Sequence, residues 1–376
     1  MKLIYRSFYT LLFCLIIASC GNGGQQRLLD VASVLFQNGK TEEAMKVYDD
    51  IIVAFPNCKE AYFNKGIILY QKKLFDKAIE LFSKSIEVDP MYGKAYLYRG
   101  KSYFNQSDLK SAEFDFKSAQ IDKETAYESS LELGMLYVRK KEFDKGLKYL
   151  NLCVQQNDTN QIVLLSRASA YFEMENFRAS IIDCNKVLHR NNTRWEAFLI
   201  KAKNYINFDN MDSAKINLDF ARMYSQDNSQ VFAVFSEYYI LMDECAIAAS
   251  FAEKGLKQDP TNIGLILNRA RAFDGMERFE KANDIYLEIG KIADSIPEYH
   301  YYLANNLMSL GDSATAVVEL TDAISLRPNY AEAYLLRSKL KAQFGDFKGS
   351  LDDREKARGK NLWKKEAIDP VTIPKP

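Results

Sequence analysis

The sequence predicts an all-α protein in which a helix-turn-helix unit recurs about ten times to form a solenoid. Hydrophobic residues make up 47% of the 376 residues and charged residues 27%, a composition that supports a large core and argues against disorder. Prolines recur at multiples of 34 residues: Pro90 follows Pro56 by 34, Pro260 lies five further periods along, and Pro328 two more. Internal periods of this length are typical of stacked repeats.

Small residues support the same period independently. With each of these prolines at position 32 of a unit, ten units fill residues 25–364 without an insertion or a deletion. Position 8 then runs from Ala32 to Ser338 and position 20 from Ala44 to Ser350, and all twenty residues are Gly, Ala or Ser. Such residues are needed where two helices cross so closely that nothing larger fits between them.

Large residues define the two helices of each unit. Position 11 is Leu, Tyr or Phe in nine units, from Leu35 to Leu307, and position 24 is Tyr, Phe or Leu in seven. Together with their neighbours at helical spacing, these residues form the apolar stripes of two amphipathic helices. A short turn such as Gly311-Asp312 separates the helices. A proline at position 32 cannot continue the second helix, so that helix ends there.

This pattern resembles the tetratricopeptide repeat over about nine-tenths of the chain, most clearly in Asp-Pro-Met-Tyr-Gly-Lys-Ala-Tyr at 89–96 and Pro-Asn-Tyr-Ala-Glu-Ala-Tyr at 328–334. The resemblance implies a right-handed superhelical solenoid whose first helices line a concave groove that typically holds a protein segment. Position 32 departs from the family pattern in repeats 3 to 6, where proline is replaced by Glu124, Asp158, Asn192 and Gln226. The ten predicted repeats are residues 25–58, 59–92, 93–126, 127–160, 161–194, 195–228, 229–262, 263–296, 297–330 and 331–364.

The last repeat differs from the others and is predicted to cap the solenoid. Lys341 takes position 11, Arg354 takes position 24, and the second helix is strongly polar. A polar face is what a solenoid needs at its end. The alternative is a decayed, partly unfolded repeat. Residues 365–376 contain three prolines and no periodicity, which predicts a C-terminal tail.

Residues 1–19 have the layout of an export signal. Lys2 and Arg6 precede an apolar run at residues 8–17. This run is shorter than the roughly 20 apolar residues of a membrane span, and small and polar residues follow it directly. A transmembrane anchor is the alternative interpretation.

The segment Ile-Ala-Ser-Cys-Gly at 17–21 resembles the lipobox of bacterial lipoproteins. The resemblance implies that residues 1–19 are removed as a lipoprotein signal peptide and that Cys20 carries the acyl chains. Residues 20–24 would then be a short lipid-anchored tether. We therefore expect the protein in the bacterial cell envelope, at the outer membrane or the periplasmic face, anchored to a membrane through its N-terminal lipid.

The cysteines beyond Cys20 match no zinc-binding spacing. An exported protein occupies an oxidising compartment, so two interpretations remain open. The cysteines are buried thiols that act as small hydrophobic residues, or one pair, Cys153 and Cys184, forms a disulfide between neighbouring repeats. The four cysteines concerned are Cys58, Cys153, Cys184 and Cys245.

Composition and motifs argue against several classes of activity. Lys+Arg and Asp+Glu both total 50, so no basic excess favours a nucleic-acid partner. The two histidines, His189 and His300, lie far apart in the predicted array, and the only glycine cluster belongs to the tether. We therefore expect no enzymatic activity, no cofactor and no metal site.

Positions 5, 9 and 12 of the first helix share one face, which the family resemblance assigns to the groove. Position 5 is apolar throughout, position 12 is mostly apolar, and position 9 varies and includes four cations that we expect to be solvated. Packing between neighbouring first helices is the alternative role for the apolar residues. The groove candidates are Phe63, Tyr70, Lys101, Phe104, Lys203, Glu237, Arg271, Tyr301, Asn305 and Lys339.

Two functions fit these observations. The first is a membrane-anchored interaction scaffold that binds a protein or peptide partner along the groove. The alternative is an envelope receptor for a glycan or a small ligand. Lipoproteins of that kind build their pockets from long inserted loops, and residues 25–364 contain no such insertion.

Overall fold

The computed structural model describes residues 22–358, which form twenty α-helices and no strand. This confirms the all-α helix-turn-helix architecture predicted from the sequence. Over the same residues, no helix is both long enough and apolar enough to span a membrane. In chain order the helices are α1 (Asn22–Gln37), α2 (Thr41–Ala54), α3 (Lys59–Gln71), α4 (Phe75–Val88), α5 (Gly93–Asn105), α6 (Leu109–Ala119), α7 (Ala126–Arg139), α8 (Phe143–Gln156), α9 (Gln161–Glu173), α10 (Phe177–Arg190), α11 (Trp195–Asn207), α12 (Met211–Ser225), α13 (Ser229–Leu241), α14 (Cys245–Gln258), α15 (Ile263–Gly275), α16 (Phe279–Ala293), α17 (Pro297–Ser309), α18 (Ser313–Leu326), α19 (Ala331–Gln343) and α20 (Phe347–Arg358).

The chain divides into two compact units at residues 183 and 184. We call their described parts the N-terminal unit, residues 22–183, and the C-terminal unit, residues 184–358. In both units an odd-numbered helix packs against the even-numbered helix that follows it. Odd-numbered helices are therefore the first helices of the repeats, and even-numbered helices are the second.

Small residues meet where the two helices of a repeat cross. In the N-terminal unit, Ser180 at position 20 donates a hydrogen bond of 2.8 Å to the carbonyl of Ala168 at position 8. In the C-terminal unit the roles are reversed, because Ser236 at position 8 donates to the carbonyl of Ala248 at position 20, at 2.9 Å. The two backbones thus lie within reach of a single hydroxymethyl group, which leaves no room for a large side chain.

The large residue at position 24 covers the small residue at position 8. A Cβ atom added to Gly66 would lie 2.6 Å from the ring of Phe82, and one added to Gly100 would lie 2.7 Å from the ring of Phe116. Both rings are fully buried. A methyl group at either position would overlap the aromatic ring where it now lies, so the ring would have to shift.

The turn between the first and second helix has a left-handed residue at position 15 in all ten repeats. Three of these residues are glycines: Gly39, Gly311 and Gly345. The other seven have φ between 58° and 66° although they carry side chains, which costs about 1–2 kcal/mol each. They are Lys73, Ser107, Lys141, Glu175, Asp209, Asp243 and Glu277.

Two repeats without the proline of position 32 end the second helix by other means. α6 stops at Ala119, whose carbonyl accepts a hydrogen bond of 2.6 Å from Thr125 Oγ1. α12 continues to Ser225 and is followed by two left-handed residues, Gln226 and Asp227, with φ of 53° and 63°. The departures from the family pattern therefore change how the helix ends but leave the helix pair intact.

Buried ion pairs recur between an arginine at position 7 and an aspartate at position 23 of the same repeat. In each pair Nε and Nη2 donate to the two carboxylate oxygens at 2.7–2.9 Å, and the aspartate is 2% exposed or less. Nη1 donates to position 25 of the preceding repeat. Each arginine thus joins three helices of two neighbouring repeats. The pairs, each with its third contact, are Arg99–Asp115 with Ser83, Arg167–Asp183 with Asn151, and Arg337–Asp353 with Thr321.

The described part of the last repeat is helical. Ser338 and Ser350 are buried at the helix crossing, as in the other repeats. Lys341, which takes the place of a large apolar residue, lies 3.0 Å from the buried carboxylate of Asp353, while Arg354 is exposed. The end of this repeat and the predicted tail lie outside the described residues.

The four cysteines, Cys58, Cys153, Cys184 and Cys245, are buried thiols. Burial raises the pKa of Cys153 to about 11, which favours the neutral, unreactive thiol. This environment suits the interpretation of Cys153 as a small hydrophobic residue.

Enlarging the residue at position 20 should destabilise the fold. Ala214 is fully buried on α12, and Ala214→Leu should lower the free energy of unfolding by about 1–3 kcal/mol through overpacking. Met223→Leu, at a 68% exposed position of the same helix, should change it by less than about 0.5 kcal/mol. Chemical denaturation measures both, and equal losses would contradict the close helix crossing.

Replacing one member of a buried ion pair should lower the free energy of unfolding by more than replacing both members. Arg99→Met leaves Asp115, which is 1% exposed, without its bidentate partner and should lower the free energy of unfolding by about 3–5 kcal/mol. Adding Asp115→Leu should restore much of that loss, because no buried charge remains. Lys84→Met, which removes a cation from the exposed Lys84–Glu87 pair, is the control and should change stability little.

Candidate binding surface on the first helices

All ten candidate groove residues lie on first helices. Phe63 is buried, Glu237 and Lys339 are exposed, and the other seven are partly buried. The lipidation candidate, Cys20, lies outside the described residues. The helices that carry the ten are α3 (Phe63, Tyr70), α5 (Lys101, Phe104), α11 (Lys203), α13 (Glu237), α15 (Arg271), α17 (Tyr301, Asn305) and α19 (Lys339).

In the N-terminal unit, Phe63 belongs to the core. Its ring centroid lies 5.4–5.8 Å from those of Phe82, Tyr92 and Tyr98. Tyr70 packs edge-on against Tyr98 at 5.8 Å and stays partly exposed. The packing alternative therefore describes Phe63, while Tyr70 lies at the edge of the same aromatic cluster.

Lys101 is not solvated, in contrast to the expectation for position 9. Its side chain is 14% exposed, its ammonium group pairs with Glu128 and lies 3.4 Å from Glu132, and it sits 4.8 Å from the centroid of the Tyr98 ring. Burial lowers the pKa of Lys101, but the two carboxylates raise it by more. Burial also raises the pKa of Glu132, against the lowering effect of Lys101. The charge of Lys101 is thus neutralised within the chain.

Phe104 is covered by a cation from the next repeat. The guanidinium group of Arg139 lies 4.9 Å from the ring centroid, and Nη1 donates to the carbonyl of Phe104 at 3.0 Å. Nη2 donates to Ser107 at 2.9 Å. Arg139 therefore contacts both Phe104 and the turn that follows it.

Arg271 in the C-terminal unit has a different environment. Its guanidinium group lies 4.3 Å from the ring centroid of Tyr302, and Nη1 donates to Asn268 Oδ1 at 3.2 Å. Within residues 22–358 it makes no ion pair with a carboxylate. This partly buried cation is held in place by an aromatic ring and an amide. Asp274 on the same helix is close enough for Arg271 to lower its pKa, but the two form no ion pair among the described residues.

Tyr302, which contacts Arg271, belongs to a cluster of three tyrosines. The ring of Tyr301 lies 5.5 Å from that of Tyr302 and 5.1 Å from that of Tyr330. Burial raises the pKa of Tyr302 and of Tyr330, so their hydroxyls stay neutral and can donate hydrogen bonds. No other described residue hydrogen-bonds to the hydroxyls of these three tyrosines. We call Arg271 with Tyr301, Tyr302 and Tyr330 the arginine–tyrosine surface.

The remaining candidates contribute less to this surface. Asn305 donates its amide to the carbonyl of Tyr301, one turn earlier on the same helix, at 2.9 Å. Glu237 lies close enough to raise the pKa of Tyr302. Lys203 and Lys339 lie on other first helices of the unit, and Lys339 is exposed.

Lys101 in the N-terminal unit and Arg271 in the C-terminal unit face different residues of the next repeat. A cation at position 9 faces position 6 of the next repeat, which is Glu132 opposite Lys101 and Tyr302 opposite Arg271. Sequence reasoning grouped positions 5, 9 and 12 and did not pair each cation of position 9 with position 6 of the next repeat, which decides whether that cation is neutralised. Reading positions 9 and 6 together across neighbouring repeats would have separated Lys101 from Arg271.

A family model described as tetratricopeptide repeat matches residues 60–92. The Cut9–Hcn1 hetero-tetramer of the APC/C is similar in structure, with a TM-score of 0.58 and 12% identity over 80% of this chain and 58% of that chain. PilW, a type IV pilus biogenesis factor, is similar with a TM-score of 0.53 and 15% identity over 57% of this chain and all of that chain. No curated protein sequence matches the chain. Identities this low establish the fold alone.

Proposed function

We propose that this chain, which carries a tetratricopeptide repeat at residues 60–92 and has the tetratricopeptide-repeat fold, is a membrane-anchored scaffold for protein–protein interaction. Its partner is a protein or peptide segment that binds along the first helices. The activity is binding, without a chemical step. Helical repeat proteins present side chains from successive repeats to one extended ligand, which suits a surface spread over several helices.

The arginine–tyrosine surface is the observation that carries this proposal. Arginine and tyrosine dominate the energetics of protein interfaces, because they offer a large contact area together with directional polar groups. Here the rings of Tyr302 and Tyr301 contact each other, while their hydroxyls have no hydrogen-bond partner among residues 22–358. A bound segment can add hydrogen bonds to these groups without breaking any that exist.

The membrane anchor is part of the same proposal and rests on the sequence. The lipobox-like segment at 17–21 supports lipidation of Cys20 and removal of residues 1–19. Several acyl chains on one cysteine are enough for stable attachment to a membrane. The protein would then present its repeats at the surface of an envelope membrane.

We also propose the division of residues 25–364 into ten repeats of 34, with a tail from residue 365. In support, α3, α5, α9, α11, α13, α15, α17 and α19 begin at residues 59, 93, 161, 195, 229, 263, 297 and 331. These starts are position 1 of the corresponding repeats. α1 begins three residues and α7 one residue before position 1.

Crosslinking in the native envelope tests the binding surface. A photo-crosslinking amino acid at Glu237, exposed on the first-helix face, should give a defined adduct with one partner protein. The same group at Leu287, 64% exposed on the second helix α16, should not. Adducts from Leu287 and none from Glu237 would place the partner on the second helices and contradict the proposal.

Neutralising Arg271 should lower the yield of the crosslink formed at Glu237, because the partner binds less tightly. Arg271→Gln keeps most of the side-chain length but removes the charge, and we expect at least about a tenfold loss of affinity, as for a central interface arginine. Lys291→Gln removes a cation from the exposed part of α16 in the same repeat and should leave the adduct unchanged. Unchanged melting temperatures would show that both variants are folded.

Mass spectrometry tests the anchor. We expect the mature N-terminal peptide to begin at Cys20 and to carry the mass of its acyl chains. Cys20→Ala should lose the acyl mass and release the protein from the membrane fraction. Retention of residues 1–19 in the parent protein would contradict lipidation and favour the transmembrane alternative.

A further inference from the structure

His300 is a buried imidazole held between two helices of repeat 9. It lies at position 4 of α17, is 4% exposed, and its Nδ1 lies 2.7 Å from Glu319 Oε2 on α18. Its Nε2 lies 2.9 Å from the backbone carbonyl of Asp294. Asp322, one turn after Glu319, completes a group whose ligand atoms all lie within 4.8 Å of one another. One nitrogen and two carboxylates therefore converge on one point.

Glu319 lacks the arginine that pairs with the acidic residue at position 23 in three other repeats. Glu319 stands at position 23, where Asp115, for example, binds an arginine from position 7. In repeat 9 position 7 is Leu303, which is buried and carries no charge. Within residues 22–358, no lysine or arginine pairs with Glu319 or Asp322. A protonated His300 can neutralise only one of the two carboxylates, which leaves one negative charge of the group uncompensated.

The imidazole is oriented as a metal ligand. A ring nitrogen that donates to a backbone carbonyl fixes the tautomer and turns the lone pair of the other nitrogen toward the metal. Nε2 has that carbonyl in Asp294, so Nδ1 faces the carboxylates. Without a metal, Nδ1 lies 2.7 Å from the carboxylate of Glu319 while Nε2 faces a carbonyl, so each ring nitrogen must carry a proton.

We propose that His300 Nδ1, Glu319 and Asp322 bind a divalent transition-metal ion, best represented by Zn²⁺. An imidazole nitrogen with two carboxylate oxygens is a ligand set suited to zinc and less suited to the hard cations Mg²⁺ and Ca²⁺. Asp322 is exposed and Glu319 is partly exposed, so the ion can enter from solvent. The ion would replace the proton on Nδ1 and join α17 to α18.

The sequence did not predict this site, since its ligands follow no known motif. His300 is separated from Glu319 by 19 residues and from Asp322 by 22, and they meet only because the two helices of a repeat pack side by side. The site is independent of the proposed partner-binding function, so it can hold whether or not the arginine–tyrosine surface binds a protein.

Zinc titration of the purified full chain, freed of metal with a chelator, tests the site. Calorimetry should show one Zn²⁺ bound per chain, with a rise in melting temperature. Asp322→Asn, at an exposed position that leaves the fold intact, should weaken binding at least about tenfold, as losses around metal sites typically do. Asp284→Asn, an exposed aspartate of α16, is the matched control and should bind as the parent does.

Histidine NMR separates metal binding from a simple ion pair. The chain has only two histidines, and the exposed His189 serves as an internal reference. Added Zn²⁺ should shift the Nδ1 resonance of His300 from its protonated to its metal-bound value and leave His189 unchanged, whereas Mg²⁺ should move neither. A His300 that stays protonated in Zn²⁺, or zinc binding that Asp322→Asn does not weaken, would overturn the proposal.

Discussion

The contact between positions 8 and 20 is the constraint on which the rest of the structure depends. The hydrogen bonds Ser180–Ala168 and Ser236–Ala248 show that the two backbones of a repeat approach within the reach of one hydroxymethyl group. At that separation the ring at position 24 must lie over position 8, as Phe82 lies over Gly66. The same crossing brings positions 7 and 23 face to face, which allows bidentate arginine–aspartate pairs. In repeat 9 it brings Glu319 at position 23 to His300 at position 4, one turn before position 7.

The features that the sequence could predict are those set by backbone packing. Small and large residues recur at fixed positions because the two helices cross in the same way in every repeat. The period therefore predicts the helices even where a single residue departs from the pattern. Features that depend on one side chain meeting another were not predictable in this way. Arg99 and Asp115 occupy positions 7 and 23, which hold Leu133 and Tyr149 one repeat later. Such pairs leave no period to detect, although their 16-residue spacing becomes a usable signal once it is known.

The candidate site illustrates the same limit. Sequence reasoning grouped the cations of position 9 by their shared face and expected all of them to be solvated. The structure separates them, since Lys101 is neutralised by glutamates of the next repeat while Arg271 rests on a tyrosine. The difference depends on position 6 of the following repeat, which is variable. Whether a cation is available for binding therefore depends on contacts between neighbouring repeats, whereas the helix packing that forms the fold lies largely within each repeat.

The left-handed residue at position 15 has a consequence for how this protein can change over time. Seven of the ten turns hold this conformation without glycine, so the flanking helices impose it, and the turn residue itself is free to vary. An added residue, in contrast, would rotate the second helix and separate positions 8 and 20. The identity of the turn residue is therefore less constrained than the length of the turn. New specificities in such a protein can arise by substitution of exposed residues while the helix crossing stays the same, and old ones can be lost by a single replacement.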